Sequence, residues 1–225
     1  ATTEIYTLSL HDALPILTVA DIRAVGPNVW NGWKAALMRD LYHRAMAVLL
    51  GAEASAVAEH MAGANHEELA TALARQDQWW DAKTTQHHID MFYPNYWTSF
   101  DLESYIRHAD MCRQFEQGDE LVGISMTPDE ARNATEIAII TADDVGLFSR
   151  IAGGVAASGA NIVDARVTTR KDGLTLDVLW VQDQDKQAIT EKARLNKLKT
   201  ALKKAMTGQL DINSAMETRW RQTPT

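Results

Sequence analysis

Two aspartates, a valine, a glycine and a leucine in succession, Asp143 to Leu147, stand between an isoleucine-rich run and an apolar periodic segment. At that junction chemistry toward a small guest is easiest to argue. Gly146 lets main-chain amides approach a ligand, and the amino end of the helix that follows favours a carboxylate. Asp143 is placed to take an ammonium group. The competing reading of Asp143 and Gly146 is a helix cap and a tight turn; residue by residue the two stand level, and the loop as a unit favours binding. Leu147 opens the helix. Asn161 and Asp164, at the start of the next strand-like run, are second-rank candidates for ligand contact at a domain interface.

Metal-ligating residue types are scattered. His11-Asp12 is an adjacent pair of the kind that holds divalent ions. It lies in SLHDALPI, which resembles translated sequencing-adapter sequence, so residues 1–16 are set aside as a non-native segment and the natural polypeptide is expected to join near Leu17. His87 and His88 are adjacent and cannot both face one ligand from a regular helix. His43, His60, His66 and His108 lack the i, i+4 pairing of zinc helices and are expected at the surface. Cys112 has no disulfide partner and no ligand cluster beside it, which points to a reducing cytoplasm. Trp79 and Trp80 are expected as packing anchors, because acidic side chains outnumber basic ones by 30 to 22 and the formal charge of -8 repels nucleic acid. No apolar run approaches the roughly 20 residues needed to cross a bilayer, so no membrane partner is expected.

The elements that must position these residues divide the 225-residue chain into an α+β arrangement. Residues 17–117 read as helical, with Trp30, Trp33, Leu37, Leu41 and Met46 near three- and four-residue spacings and Gly26-Pro27-Asn28 as a turn. Gly51 and Gly63 are expected to close or interrupt helices. Met91 to Phe100 is too aromatic and too interrupted for a surface helix and is expected as a buried connection. DLESYIRHADMCRQF regains helical spacing and Gly118 ends it. Residues 118–133 are expected as a linker. From 134 to 208 the order is strand (TEIAIIT), loop and helix, strand (NIVDARVTT), a Lys171-Asp172-Gly173 turn, strand (LTLDVLWVQ) and a helix over about Ala188 to Met206. This β-α-β-β-α order is a ferredoxin-like unit lacking a closing strand. Residues 209–225 read as an irregular tail with no alternating apolar run, which leaves the first strand's edge unpaired and open to another chain.

Two stretches carry a family likeness. LTVADIRAVGPNVWNGWK resembles the final helix of the HD domain in the PII uridylyltransferase/uridylyl-removing enzymes. The stretch ADDVGLFSRIAGGVAASGANIVDARVTTRKDGLTLDVLWVQD looks like the first of their two ACT domains. Such ACT loops commonly read D-x-P-G-L, matched here by Asp143 to Leu147 with Val145 in place of proline. The resemblance implies that Asp21 is the fourth ligand of an HD-type site for Mg2+ or Mn2+ in the full-length enzyme; read without it, Asp21 is an N-terminal helical carboxylate supported by Arg23 or by solvent. No other ligand of that site precedes Leu17, so no complete catalytic site and no cofactor are expected in this chain. What the likeness further implies is the C-terminal regulatory portion of an enzyme that uridylylates PII protein and removes the group again, with ACT domains that sense glutamine and can pair. Two alternatives stay open: the HD/ACT portion of a (p)ppGpp synthetase/hydrolase, and a free-standing amino-acid-binding ACT module.

Overall fold

The computed structural model describes residues 54–210 apart from Ala131, with isolated helical positions between 17 and 45. The segment 1–16, the Gly26-Pro27-Asn28 turn, Trp30, Trp33, Leu37, Met46, Gly51 and the tail beyond Leu210 lie outside the described residues. The chain divides into two units, residues 1–57 and 58–225. Of the first, Leu17, Thr18, Ala20, Asp21, Ala24, Met38, Leu41, Tyr42 and Ala45 are helical.

Helices α1 (Ala54–Leu73), α2 (Ala82–Asp90) and α3 (Leu102–Gln117) lead into β1 (Val122–Asp129) and β2 (Ala134–Ala142). Then come α4 (Leu147–Ser158), β3 (Asn161–Thr169), β4 (Leu174–Gln182) and α5 (Lys192–Met206). Local chemistry sets the helix starts. Asp81 accepts a hydrogen bond from the Thr84 amide and Asp101 from the Ser104 amide, each at 2.8 Å, satisfying donors that a helix leaves open at its first turn. Gly63 lies inside α1 and does not interrupt it, correcting the expectation of a break there.

The four strands form one antiparallel sheet in the order β1-β2-β4-β3. Alternation along β2 and β4 buries both faces. Ile137, Ile139, Leu179 and Val181 meet Leu147, Ile151 and Val155 of α4 and Leu198 and Leu202 of α5. Ala134, Ala138, Ile140, Leu176, Val178 and Trp180 meet Leu69 and Leu73 of α1, Tyr105, Ala109 and Cys112 of α3, and the aromatic connection. That connection is buried only in part: Phe92 stacks on Tyr96 at 3.9 Å and Trp97 is 1% exposed, whereas Tyr93, Pro94 and Asn95 face outward, Tyr93 at 49%. The helical connector is thus the second covering layer of the sheet. Trp80 joins this core, while Trp79 stays 36% exposed beneath the Arg113 guanidinium.

The expected linker and open edge are both corrected. Val122–Asp129 is a strand, and it pairs with β2 from Val122↔Thr141 to Asp129↔Ala134, in the place of the closing strand. Its apolar positions Val122, Ile124 and Met126 join the α4/α5 core by simple alternation. Gly123 and Pro128 disguised it. Pro128 is tolerated because β1 is an edge strand. Gly123 is required because a Cβ there would stand 2.6 Å from Ile140 Cγ2. In β3 a bulge between Ile162 and Asp164 puts Ile162 on the same face as Ala165, which an unbroken period of two would have kept apart. The last helix begins at Lys192, after Ile189, whose amide and carbonyl are both bonded by the Thr135 hydroxyl at 2.8 Å.

Candidate functional site

Chain direction places the bend. β2 ends at Ala142, Gly146 adopts a left-handed conformation (φ 77°) that costs a side-chain-bearing residue strain, and α4 starts at Leu147 with no side chain capping it. Asp143, Asp144 and Val145 are exposed, Val145 at 93%. The Asp143 amide donates to Gly173 O at 3.0 Å, which ties the bend to the β3–β4 turn. The Leu147 amide donates to Asp144 O at 3.0 Å, and the Leu147 side chain is buried in the α4 core. Arg150 leans back over the bend, pairing with Asp144 at 2.6 Å and donating to Val145 O at 3.1 Å. The bend therefore offers a ligand the Asp143 carboxylate, the Gly146 main chain and the amino end of α4. From Leu147 it offers main chain only.

The structure separates the remaining candidates from this group. Asn161 pairs with Gln182 at the far end of the sheet, whereas Thr175 and Ala142 mark the near end. Seven residue steps of β4 separate Thr175 from Gln182, about 23 Å at the usual strand rise. Asp164 is ion-paired on the connector face, with Arg166 at 2.6 Å and Arg132 at 3.3 Å. Those bonds make it part of the packing. Asp21 is an exposed helical carboxylate, and no group of three or more potential metal ligands converges among the described residues. A divalent ion needs several oxygen donors, so the described residues do not fit one.

Two acidic residues escaped the sequence reading, and both carry the same signal, an ionisable side chain inside an apolar strand. Asp177, in LTLDVLWVQ, is 1% exposed and accepts from the Thr175 hydroxyl at 2.7 Å. Burial raises its pKa above the ordinary carboxylate value, and the nearby Asp143 charge pushes the same way. It lies beneath the bend. Glu136, in TEIAIIT, is 5% exposed on the opposite face and pairs with Arg107 at 3.1 Å; burial outweighs that partner and raises its pKa also.

The histidines need a correction. His108, expected at the surface, is 1% exposed, and His66, expected there too, is half-buried against Trp97; His88 is 5% exposed, while its neighbour His87 is exposed. The Tyr96 hydroxyl meets His108 Nδ1 at 3.1 Å, and Nε2 of each buried ring finds no protein partner. Burial lowers both pKa values to about 3, helped by the Arg170 charge at His88 and by the Arg107 charge at His108. Cys112 is buried with its pKa raised to about 12, so it is an unreactive thiol. Arg170, 1% exposed by side chain, pairs with Glu116 at 2.6 Å and Asp172 at 2.7 Å, and the Lys171 amide donates to Met91 O at 2.9 Å. The β3–β4 turn is thereby fastened to the connector as well as to the bend.

No family model matches the chain. Among curated proteins it is 38% identical to a bifunctional uridylyltransferase/uridylyl-removing enzyme of Rhodospirillum rubrum, over 96% of this chain and 22% of the relative. It is 40% identical to one of Gluconobacter oxydans over 91% of this chain and 21% of the relative. The identity to one of Ruegeria pomeroyi is 38%, over 96% of this chain and 23% of the relative. The chain spans about a fifth of the length of these relatives. A likeness of this strength, continuous through connector, β1 and the sheet, shows that the chain belongs to the bifunctional uridylyltransferase/uridylyl-removing enzyme family, of which it represents one segment.

Proposed function

We propose that this chain is the C-terminal regulatory portion of a bifunctional uridylyltransferase/uridylyl-removing enzyme that modifies PII protein in the cytoplasm in response to glutamine. The observation that carries the reading is the likeness over 96% of the chain to a relative of that name. The ferredoxin-like sheet with its left-handed Gly146 supports a sensing role. An amino acid's carboxylate is favoured at the amino end of α4 and its ammonium group at Asp143. Effector binding acts by favouring one domain arrangement over another, with a coupling of about 1 to 3 kcal/mol.

One module holds half of such a site. Asn161 stands about 23 Å from the bend in the same chain, so a single ligand touches both when the bend of one ACT module meets the β3 edge of another. Val163 and Val167, 50% and 56% exposed on that edge strand, are suited to the pairing. Mg2+ or Mn2+ belongs to the HD domain of the complete enzyme, to which this chain contributes Asp21. The alarmone-enzyme alternative finds no support among the relatives named above. No helix among the described residues is long and apolar enough to cross a membrane.

Calorimetry with L-glutamine on the complete protein tests the sensing claim. Saturable heat is expected, weakened by Asp143→Asn by about tenfold, the loss of one charged hydrogen bond. An intact fold without heat sinks the sensing role. The chain alone is expected to transfer no uridylyl group from UTP to PII, and turnover by it overturns the fragment reading.

A further inference from the structure

A cleft of about 260 Å³ opens where α3 parts from the sheet, on the face opposite α4 and α5. Its floor follows one row of the ladder: Thr127, Glu136 and Trp180 are directly opposite one another on β1, β2 and β4, and Asp164 follows Trp180 on β3. Ser104 and Arg107 of α3 stand over Glu136.

Charge is unevenly spread around this space. Five acidic side chains line it against two guanidiniums, and both guanidiniums are ion-paired, Arg107 with Glu136 and Arg132 with Asp129 and Asp164. Glu103 and Glu130 are exposed at the rim, and among the described residues neither is ion-paired. Walls of low polarisability concentrate such a field. At the floor, Glu136 is 5% exposed, and among the described residues its Oε2 is met by the Ser104 hydroxyl alone, at 3.5 Å, well beyond the usual 2.5 to 3.0 Å of an O–H···O bond. A buried carboxylate accepts up to about four hydrogen bonds and is costly to leave short of donors. The same end of the fold already lodges one organic cation from its own chain. The Arg132 guanidinium lies 3.9 Å from the Trp180 ring centroid, between Asp129 and Asp164.

We propose that this cleft binds a small organic cation, an ammonium- or guanidinium-bearing molecule of amino-acid size, with the cationic group donating to Glu136 Oε2 and the rim carboxylates drawing it in. A compact metal ion is a poorer occupant, because no three potential metal ligands converge among the described residues. The site is on the other face of the sheet from the Asp143–Leu147 bend and does not depend on the glutamine reading.

The test is titration of the whole 15N-labelled chain with 1,4-diaminobutane or L-arginine, following the indole N–H of Trp180, which donates to Asp129 at 3.1 Å beside the cleft. Saturable shifts are expected below about 10 mM, weakened about tenfold or more by Glu136→Gln and at least a few-fold by joint Glu103→Gln and Glu130→Gln, and unchanged by Arg150→Ala at the bend. If Glu136→Gln does not fold, the exposed rim variant alone decides. No saturation, equal affinity in the rim variant, equal affinity in a folded Glu136→Gln, or the same shifts with magnesium chloride or disodium succinate each overturn the proposal.

Discussion

His88 and His108 sit uncharged between the connector and the sheet, and their burial has a thermodynamic sign. In the fold each stays neutral down to about pH 3, whereas the unfolded chain protonates each below its ordinary value of 6.5. Unfolding therefore takes up protons as pH falls through that window, and stability is lost on acidification. The slope is up to about 1.4 kcal/mol per pH unit for each histidine. Glu136 and Asp177 have raised values and contribute with the opposite sign, nearer the carboxylate range. Urea unfolding between about pH 7 and 5.5 should thus show falling stability, with His88→Phe removing part of the slope and leaving what His108 and the half-buried His66 contribute. A flat profile in the parent chain would mean that the rings are not held neutral.

At the scale of elements, the decisive feature is β1. It fills the edge of β2 that a β-α-β-β-α unit leaves open, and it comes from before that unit in the chain. Its approach to β2 leaves no room at Gly123, where a Cβ would meet Ile140 Cγ2 at 2.6 Å and Phe115 Cδ2 at 3.2 Å. Gly123→Ala should cost about 1 to 3 kcal/mol, since the added methyl must displace a packed isoleucine. Chemical denaturation measures this directly, and a neutral substitution would show that β1 is more loosely held than its register implies. The bend is a contrasting element. Arg150 and Asp144 pair across it in the open, where such a pair contributes about 1 kcal/mol or less, so its shape is set by Gly146 and by the bond to Gly173.

The whole of the second unit is a sheet with two covers, one of them the connector. Ile140, Leu176, Val178 and Trp180 are fully or almost fully buried by residues that precede Gly118. Each large apolar side chain left bare forfeits about 1.5 to 3 kcal/mol of burial. A fragment beginning at Asp119 should therefore bind a hydrophobic dye such as ANS and aggregate, while one beginning at Ala58 should be far less dye-reactive and form no aggregates larger than a pair. Equal behaviour of the two in dye binding and sedimentation would refute the connector's covering role. Fastening of the β3–β4 turn to both the bend and the connector links the bend physically to the helices.

Periodicity in the chain specified the helix α3, the strands β2, β3 and β4, the hairpin turn and the Gly146 bend, because each follows from spacing or from a single residue's conformational range. It also marked Met91 to Phe100 as interior, which holds for Phe92, Tyr96 and Trp97 and not for Tyr93 to Asn95. Strand β1 escaped, since glycine and proline signal a loop unless an edge position and a close neighbour excuse them, and both conditions are tertiary. His108 escaped because helical spacing shows which residues share a stripe without showing whether another layer covers it. Glu136 and Asp177 were legible as charges within apolar strands, but only the arrangement of layers set one under a helix roof and the other beneath the bend. The distance between Asp143 and Asn161 likewise belongs to the fold, because residues 18 apart in the chain stand at opposite ends of a sheet once a strand's length separates them.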